Sequence, residues 1–208
     1  MAAATTTPLP VSDRTRARVC AGLLLLVLVA LTPLTGRASA AATQPITLDE
    51  PQSTTPVRLV LPSLGIDAPV AALALAEDGT MPAPARADLV AWYSFSAPAG
   101  GDGNAVLAGH RDWQGRRGVF YTLGQLQPED DIWLQDAAGV WHRYTVVWSA
   151  RYPDDAAPLA ALVGPTERPT LTLITCGGVF DRTLGRYLDR QVVRAVLTDA
   201  DRMVTTDP

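Results

Sequence analysis

From residue 57 to residue 198 the chain is broken into short runs of branched, aromatic and leucine side chains, each closed by glycine, proline or aspartate. That punctuation limits the fold more than any other feature, because it leaves almost no helical periodicity and room only for strands. Val57-Arg-Leu-Val-Leu61 alternates and is turned by Pro62-Ser-Leu-Gly65; Ile66–Val70 follows, its Pro69 implying an edge. Leu89–Tyr93 and Asn104–Ala108 are the next strands, the latter ending at Gly109-His110. Gly118–Leu126 is predicted to make one short helical turn. Asp131–Gln135 and Val140–Trp148 flank Asp136-Ala-Ala-Gly139, a hairpin with turn residues in place. Residues 152–169, with Pro153, Pro158 and Pro165, read as irregular. About eight short strands point to an all-β barrel or sandwich.

The last two strands carry the chemistry. Thr170-Leu-Thr-Leu-Ile-Thr-Cys176 has the β-branched composition of a strand, and Gly177-Gly178 is expected to stop it on the cysteine. Arg190–Leu197 reads as the following strand. If the two pair, Cys176 and Arg190 lie close together at the mouth of a hairpin, and a thiol beside a fixed cation is expected to ionise readily. The one cysteine of the globular part could equally be a small buried hydrophobe. Its place at a strand end before two glycines shifts the balance towards function.

Upstream, Val19–Leu34 is nearly unbroken apolar sequence behind Arg14, Arg16 and Arg18, and Ala38-Ser-Ala40 follows it. Sixteen such residues rise roughly 24 Å as a helix. They fit either an uncleaved signal anchor or a secretory signal peptide. Both readings export residues 41–208, and the anchor reading makes residues 1–18 a cytoplasmic tail. Cys20 precedes the leucine run, where a lipid-bearing cysteine would follow it. Residues 35–56 are a polar, proline-containing linker, 57–198 the globular domain, and 199–208 a polar tail. Beyond residue 43 there are 20 acids against 13 arginines and no lysine. An acidic domain argues against nucleic acid as a partner, and the lack of lysine rules out a lysine Schiff base. No cluster of cysteine and histidine marks a metal site, and no cofactor is expected.

A cysteine nucleophile needs a proton donor for the leaving group and a stabiliser for the oxyanion. The candidates are Cys176, His110 and Arg190 in those three roles. His142 is the other histidine and reads as an ordinary sheet residue between Trp141 and Arg143. Arg186 and Arg194 are rivals to Arg190: Arg194 shares its strand parity, and Arg186 lies in the loop.

Thr172-Leu-Ile-Thr-Cys176 resembles the TLxTC signature of sortases, the cysteine transpeptidases of Gram-positive cell surfaces. Ala105-Val-Leu-Ala-Gly-His110 is similar to the strand that ends on the sortase histidine, and Arg190-Gln-Val-Val-Arg-Ala195 to the last strand with its arginine. The resemblance covers 57–198, and Cys176-Gly-Gly-Val-Phe-Asp181 and Gly79-Thr-Met81 are closest to the actinobacterial class F group. In one place the chain departs from that group: Leu188-Asp-Arg190 carries its arginine just after the aspartate, not before it. The resemblance implies an eight-stranded sortase-type barrel with short helical turns. It implies that Cys176 attacks an LPxTG-like sorting signal between Thr and Gly, and that His110 protonates the departing amine. An amine acceptor of the cell wall or of another protein then resolves the thioester. Arg190 holds the oxyanion or the substrate backbone, and Thr175 assists in substrate binding. It also favours the membrane anchor, with the catalytic domain outside the cell. Two other readings remain open here: a thiol hydrolase that uses water as acceptor, and a non-catalytic surface-binding barrel.

Overall fold

The computed structural model describes residues 54–198. The expected tail 1–18, the apolar segment 19–34 with Cys20, all but the end of the 35–56 linker, and the tail 199–208 lie outside the described residues. Ten strands are present: β1 Pro56–Leu61, β2 Ile66–Leu73, β3 Val90–Tyr93, β4 Asn104–Gly109, β5 Asp112–Trp113, β6 Arg116–Arg117, β7 Asp131–Asp136, β8 Trp141–Pro153, β9 Thr170–Asp181 and β10 Arg186–Leu197. Eight of them close a barrel in the order β1-β2-β3-β4-β9-β10-β8-β7, and β5 and β6 form a separate two-stranded ribbon. The all-β, eight-stranded barrel expected from the sequence is therefore the fold. Two neighbouring pairs, β2 with β3 and β4 with β9, are parallel; the remaining barrel pairs are antiparallel.

Strand alternation sorts the side chains into two layers. Leu59, Leu61, Ala105, Leu107, Leu171, Leu173, Val193 and Ala195 fill the barrel interior with Phe120, Ile132, Leu134 and Tyr144. The intervening residues Ala91, Tyr93, Val106, Ile174 and Val192 form a second apolar cluster outside the barrel. Leu162 of a five-residue helix, α1 Leu159–Val163, covers it. Residues of the same parity as this outer cluster are Cys176, Arg190 and His110.

Three local expectations need correction. Gly177-Gly178 does not end the strand on Cys176. β9 runs on to Asp181 and pairs with β10 beyond the barrel rim, through Phe180↔Tyr187 and Asp181↔Arg186. The glycines instead accommodate an irregularity in the ladder between Tyr187 and Asp189. Gly178 has φ +72°, and a Cβ there would lie 2.0 Å from the Asp189 carboxylate, so only glycine fits. The stretch 152–169 is not wholly irregular, since β8 continues to Pro153, opposite Asp189, and α1 follows. A helix this short carries no readable period; tertiary contacts hold it. Asn104 Nδ2 donates to the carbonyls of Leu162 and Gly164, and Arg194 Nη2 donates to that of Leu162 at 2.8 Å. Pro69 is an edge residue only locally: it pairs with Arg58 of β1, and pairing with β3 begins at Val70. The short turn expected within Gly118–Leu126 is present as a 3₁₀ turn at Leu123–Gln125.

Candidate active site

Strand register brings the three sequence candidates together. Cys176 and Arg190 are direct partners in the β9–β10 ladder. They face each other five or more residues down from the hairpin tip and not at its mouth. On the other side of β9, Ala108 of β4 is level with Ile174. His110 follows the end of β4, two residues beyond that pair. All three line a cavity of about 650 Å³ at the rim of the barrel. Its walls are Leu75, Thr80, Met81, Ala83 and Pro84 from the β2–β3 connection, Tyr93 and Phe95 at the end of β3, and Leu159 and Val163 of α1. Asp154 is its one carboxylate among the described residues. The cavity is thus a mostly apolar trough with a few polar groups in its lining, the usual make-up of a ligand site.

His110 is held from two sides. Its Nε2 lies 2.8 Å from the Pro84 carbonyl, and its ring meets Trp113 edge-on with centroids 4.5 Å apart. A carbonyl oxygen only accepts, so Nε2 carries the hydrogen and Nδ1 is left to exchange protons. Two residues before Pro84, the Pro82 carbonyl accepts from the buried Tyr93 hydroxyl at 2.8 Å. Gly118 closes the loop over the histidine; a Cβ there would sit 2.2 Å from the His110 carbonyl oxygen. The Thr175 hydroxyl, read from sequence as a substrate contact, donates to the Gly109 carbonyl at 2.8 Å. It ties the end of β9 to the residue before His110.

The expectation of an easily ionised thiol is overturned. Burial pushes Cys176 above its ordinary value, and this outweighs the opposing pull of Arg190. Asp112 and Asp154 push the same way as burial, while Arg111 adds a smaller opposing pull. Desolvation wins because the thiolate loses water that one guanidinium does not replace. Arg190 is also not a lone charge: its Nη2 lies 2.7 Å from Asp154 Oδ1, and its Nη1 donates to the Asp189 carbonyl.

The rivals separate cleanly. Arg194 is buried, stacks over Trp148 and spends its Nη2 on the carbonyls of α1. Arg186 is exposed and pairs with the second oxygen of Asp154. His142 lies 2.9 Å from Asp136 on the barrel wall and lines no part of the cavity. Sequence reasoning missed Asp154, Pro84, Tyr93 and Trp113. The first stood in a stretch read as irregular; the others act through a backbone carbonyl or a ring contact that no local pattern encodes.

Comparison with known proteins points to one family. A family model described as the Sortase domain matches residues 59–198. No curated protein matches the chain. Among solved structures, a Clostridium perfringens sortase D5 transpeptidase aligns at 19% identity over 73% of this chain and 84% of its own, with a TM-score of 0.53. Listeria monocytogenes sortase A aligns at 18% identity over 71% of this chain and 88% of its own, with a TM-score of 0.53. Sortase C-1 from Actinomyces oris aligns at 20% identity over 69% and 74% of the two chains, with a TM-score of 0.54. At such identities the structural likeness speaks for the fold alone.

Proposed function

Because this chain belongs to the sortase family of cysteine transpeptidases, we propose that Cys176, His110 and Arg190 cleave an LPxTG-like sorting signal between Thr and Gly. The observation that carries the reading is the register: Arg190 directly opposite Cys176, with His110 on the same cavity rim. The sulfur attacks the threonyl carbonyl, forming an S–C bond while the C–N bond to glycine breaks. The thiol proton passes to His110 and from Nδ1 to the departing amine. A half-buried thiol that holds its proton at rest fits this order, since proton and nucleophile move together as the carbonyl arrives. Arg190 supplies fixed charge for the oxyanion. An amine then attacks the thioester, giving its proton back through His110, and the acyl group leaves joined to the acceptor.

The family acts on proteins that bear sorting signals and on amine acceptors. For this chain the apolar trough of Leu75, Met81, Phe95, Ile174 and Leu159 suits the leucine and proline of such a signal. The class F assignment is supported by Cys176-Gly-Gly-Val-Phe-Asp181 and Gly79-Thr-Met81. The apolar run 19–34 behind three arginines supports attachment to the membrane with the barrel outside. Among the described residues no helix is long and apolar enough to cross a membrane. Fractionation of cells carrying an N-terminally tagged chain tests the anchor: tag in the membrane pellet supports it, and tag loss on export supports a cleaved signal.

The catalytic reading is tested by incubating the protein with an LPxTG peptide, quenching in acid and locating the acyl adduct by mass spectrometry. The adduct is expected on Cys176, and turnover is expected to fall by about 10³-fold or more in Cys176→Ala. An adduct elsewhere, or retained turnover, overturns it. Adding an amine acceptor separates transfer from hydrolysis.

A further inference from the structure

We propose that Asp154 is a positioning residue for the reaction, a carboxylate that fixes the Arg190 guanidinium in its working orientation and is itself clamped by Arg186. The inference rests on the reading of Arg190 as the oxyanion group.

Asp154 is the first residue after β8 and is anchored by its backbone before its side chain is considered: its N–H donates to the Leu188 carbonyl at 2.8 Å. Leu188 precedes Arg190 by two positions on β10, so the carboxylate is registered against the same strand that carries the arginine. Oδ1 lies 2.7 Å from Arg190 Nη2 as an ion pair, and Oδ2 receives Arg186 Nη1. The second terminal nitrogen of Arg190 donates to the Asp189 carbonyl at 3.1 Å. Both ends of the guanidinium fork are therefore tied, one to a charge and one to backbone. A free arginine side chain samples many rotamers, and one held in place before substrate arrives has little left to order in the transition state.

The Asp154 side chain is 18% exposed and that of Arg190 29%, so the pair is largely withdrawn from solvent and little screened. Its consequence lies in geometry. Arg186, at 53% exposure, does not reach the cavity; it occupies the carboxylate oxygen that would otherwise be free to turn away.

Asp154 has a second effect that makes the idea separable from loss of structure. The charged groups that act on the Cys176 thiol are Arg190 from β10, Asp154 after β8, and Asp112 and Arg111 after β4, and His110 lines the same cavity. Of these, Asp154 and Asp112 hold the proton on the thiol. Removing the Asp154 charge thus eases thiol ionisation while it loosens Arg190. Thiol reactivity and turnover are expected to move in opposite directions.

The test compares Asp154→Asn, Arg186→Gln and Arg190→Gln in the full chain, reading kcat and KM for a sorting-signal peptide and the pH profile of Cys176 alkylation by iodoacetamide. For Asp154→Asn, kcat is expected to fall about tenfold or more, with little change in KM and an alkylation profile displaced to lower pH. In an Arg190→Gln background the same substitution is expected to cost nothing further, because the group it positions is gone. Arg186→Gln is expected to lower kcat by less than Asp154→Asn. The proposal is overturned if Asp154→Asn keeps kcat within twofold while Arg190→Gln abolishes it. It is overturned equally if alkylation and turnover fall together, the mark of a disrupted fold, or if Arg186→Gln matches the loss from Asp154→Asn. Should Arg190→Gln itself leave kcat unchanged, the reading of Arg190 fails, and that result is distinct from all of these.

Discussion

Arg190 stands directly across the β9–β10 ladder from Cys176, yet the sulfur beside it is harder to ionise than a free thiol, because burial acts more strongly than the guanidinium. The consequence is a measurable pH profile. Iodoacetamide should alkylate Cys176 slowly at neutral pH, with an inflection above the ordinary thiol value of about 8.5. Arg190→Gln removes a charge that favours thiolate, so its inflection should lie higher still. Asp112→Asn removes one that favours the thiol, so its inflection should lie lower. An Arg190→Gln profile displaced downward would contradict the account.

Arg194 shares a strand and a face with Arg190, and the two should fail in different ways. Arg194 is buried, and its guanidinium satisfies carbonyls of α1 while burial lowers its pKa. Arg194→Gln should lower stability by about 1.5–3 kcal/mol, the range for a hydrogen bond to a charged group, and leave kcat per folded molecule within a few-fold. Arg190→Gln should leave the urea midpoint nearly unchanged and reduce kcat by about 10²–10³-fold, as loss of an oxyanion donor does. Equilibrium unfolding and steady-state kinetics on the same two samples check both halves.

Tyr93 offers a longer-range probe. Burial pushes its phenol up to about 12, so the hydroxyl keeps its proton and donates to the Pro82 carbonyl at any working pH. Two residues on, the Pro84 carbonyl holds His110 Nε2. Tyr93→Phe removes one oxygen atom and should lower kcat/KM about fivefold, the equivalent of one hydrogen bond of ~1 kcal/mol. The His110 ring nitrogens, followed by NMR, should lose their strong preference for hydrogen on Nε2. An unchanged tautomer would show that Pro84 does not need this anchor.

How much of this could be read in advance depends on whether the information is local. Period-two alternation in Asn104–Ala108, Thr170–Thr175 and Arg190–Leu197 is sufficient to find three strands, although Cys176 and Arg190 lie within β9 and β10 and not at their ends. The register that sets Arg190 against Cys176 follows from pairing those strands. Their boundaries were less legible. Gly178 looks like a terminator in one dimension and is an accommodation to Asp189 in three. Helix α1 exists because Asn104 and Arg194, far away in the chain, complete its carbonyls. The thiol's protonation was misjudged for a related reason: the nearby cation is visible in sequence, and the depth of burial that opposes it is not.

Thr175 distinguishes two roles for one hydroxyl. It is buried and donates to the Gly109 carbonyl at 2.8 Å, which places it behind His110 as a tie between β9 and the end of β4. A substrate contact, by contrast, would leave the hydroxyl available to the cavity. Thr175→Val keeps the branched shape and deletes the donor, leaving the Gly109 carbonyl without this partner. As a tie, the hydroxyl is worth about 1–3 kcal/mol of stability, since an unsatisfied buried acceptor adds to the lost bond. Turnover should then fall by about tenfold through displacement of His110, because small errors in placing a catalytic group are expensive, and KM for the sorting-signal peptide should stay within twofold. If the hydroxyl instead binds substrate, KM should rise with little change in kcat or in the unfolding midpoint. Parallel measurement of KM, kcat and urea stability in Thr175→Val and Thr175→Ser decides between them, since serine restores the donor and should recover kcat only if the tie is what matters.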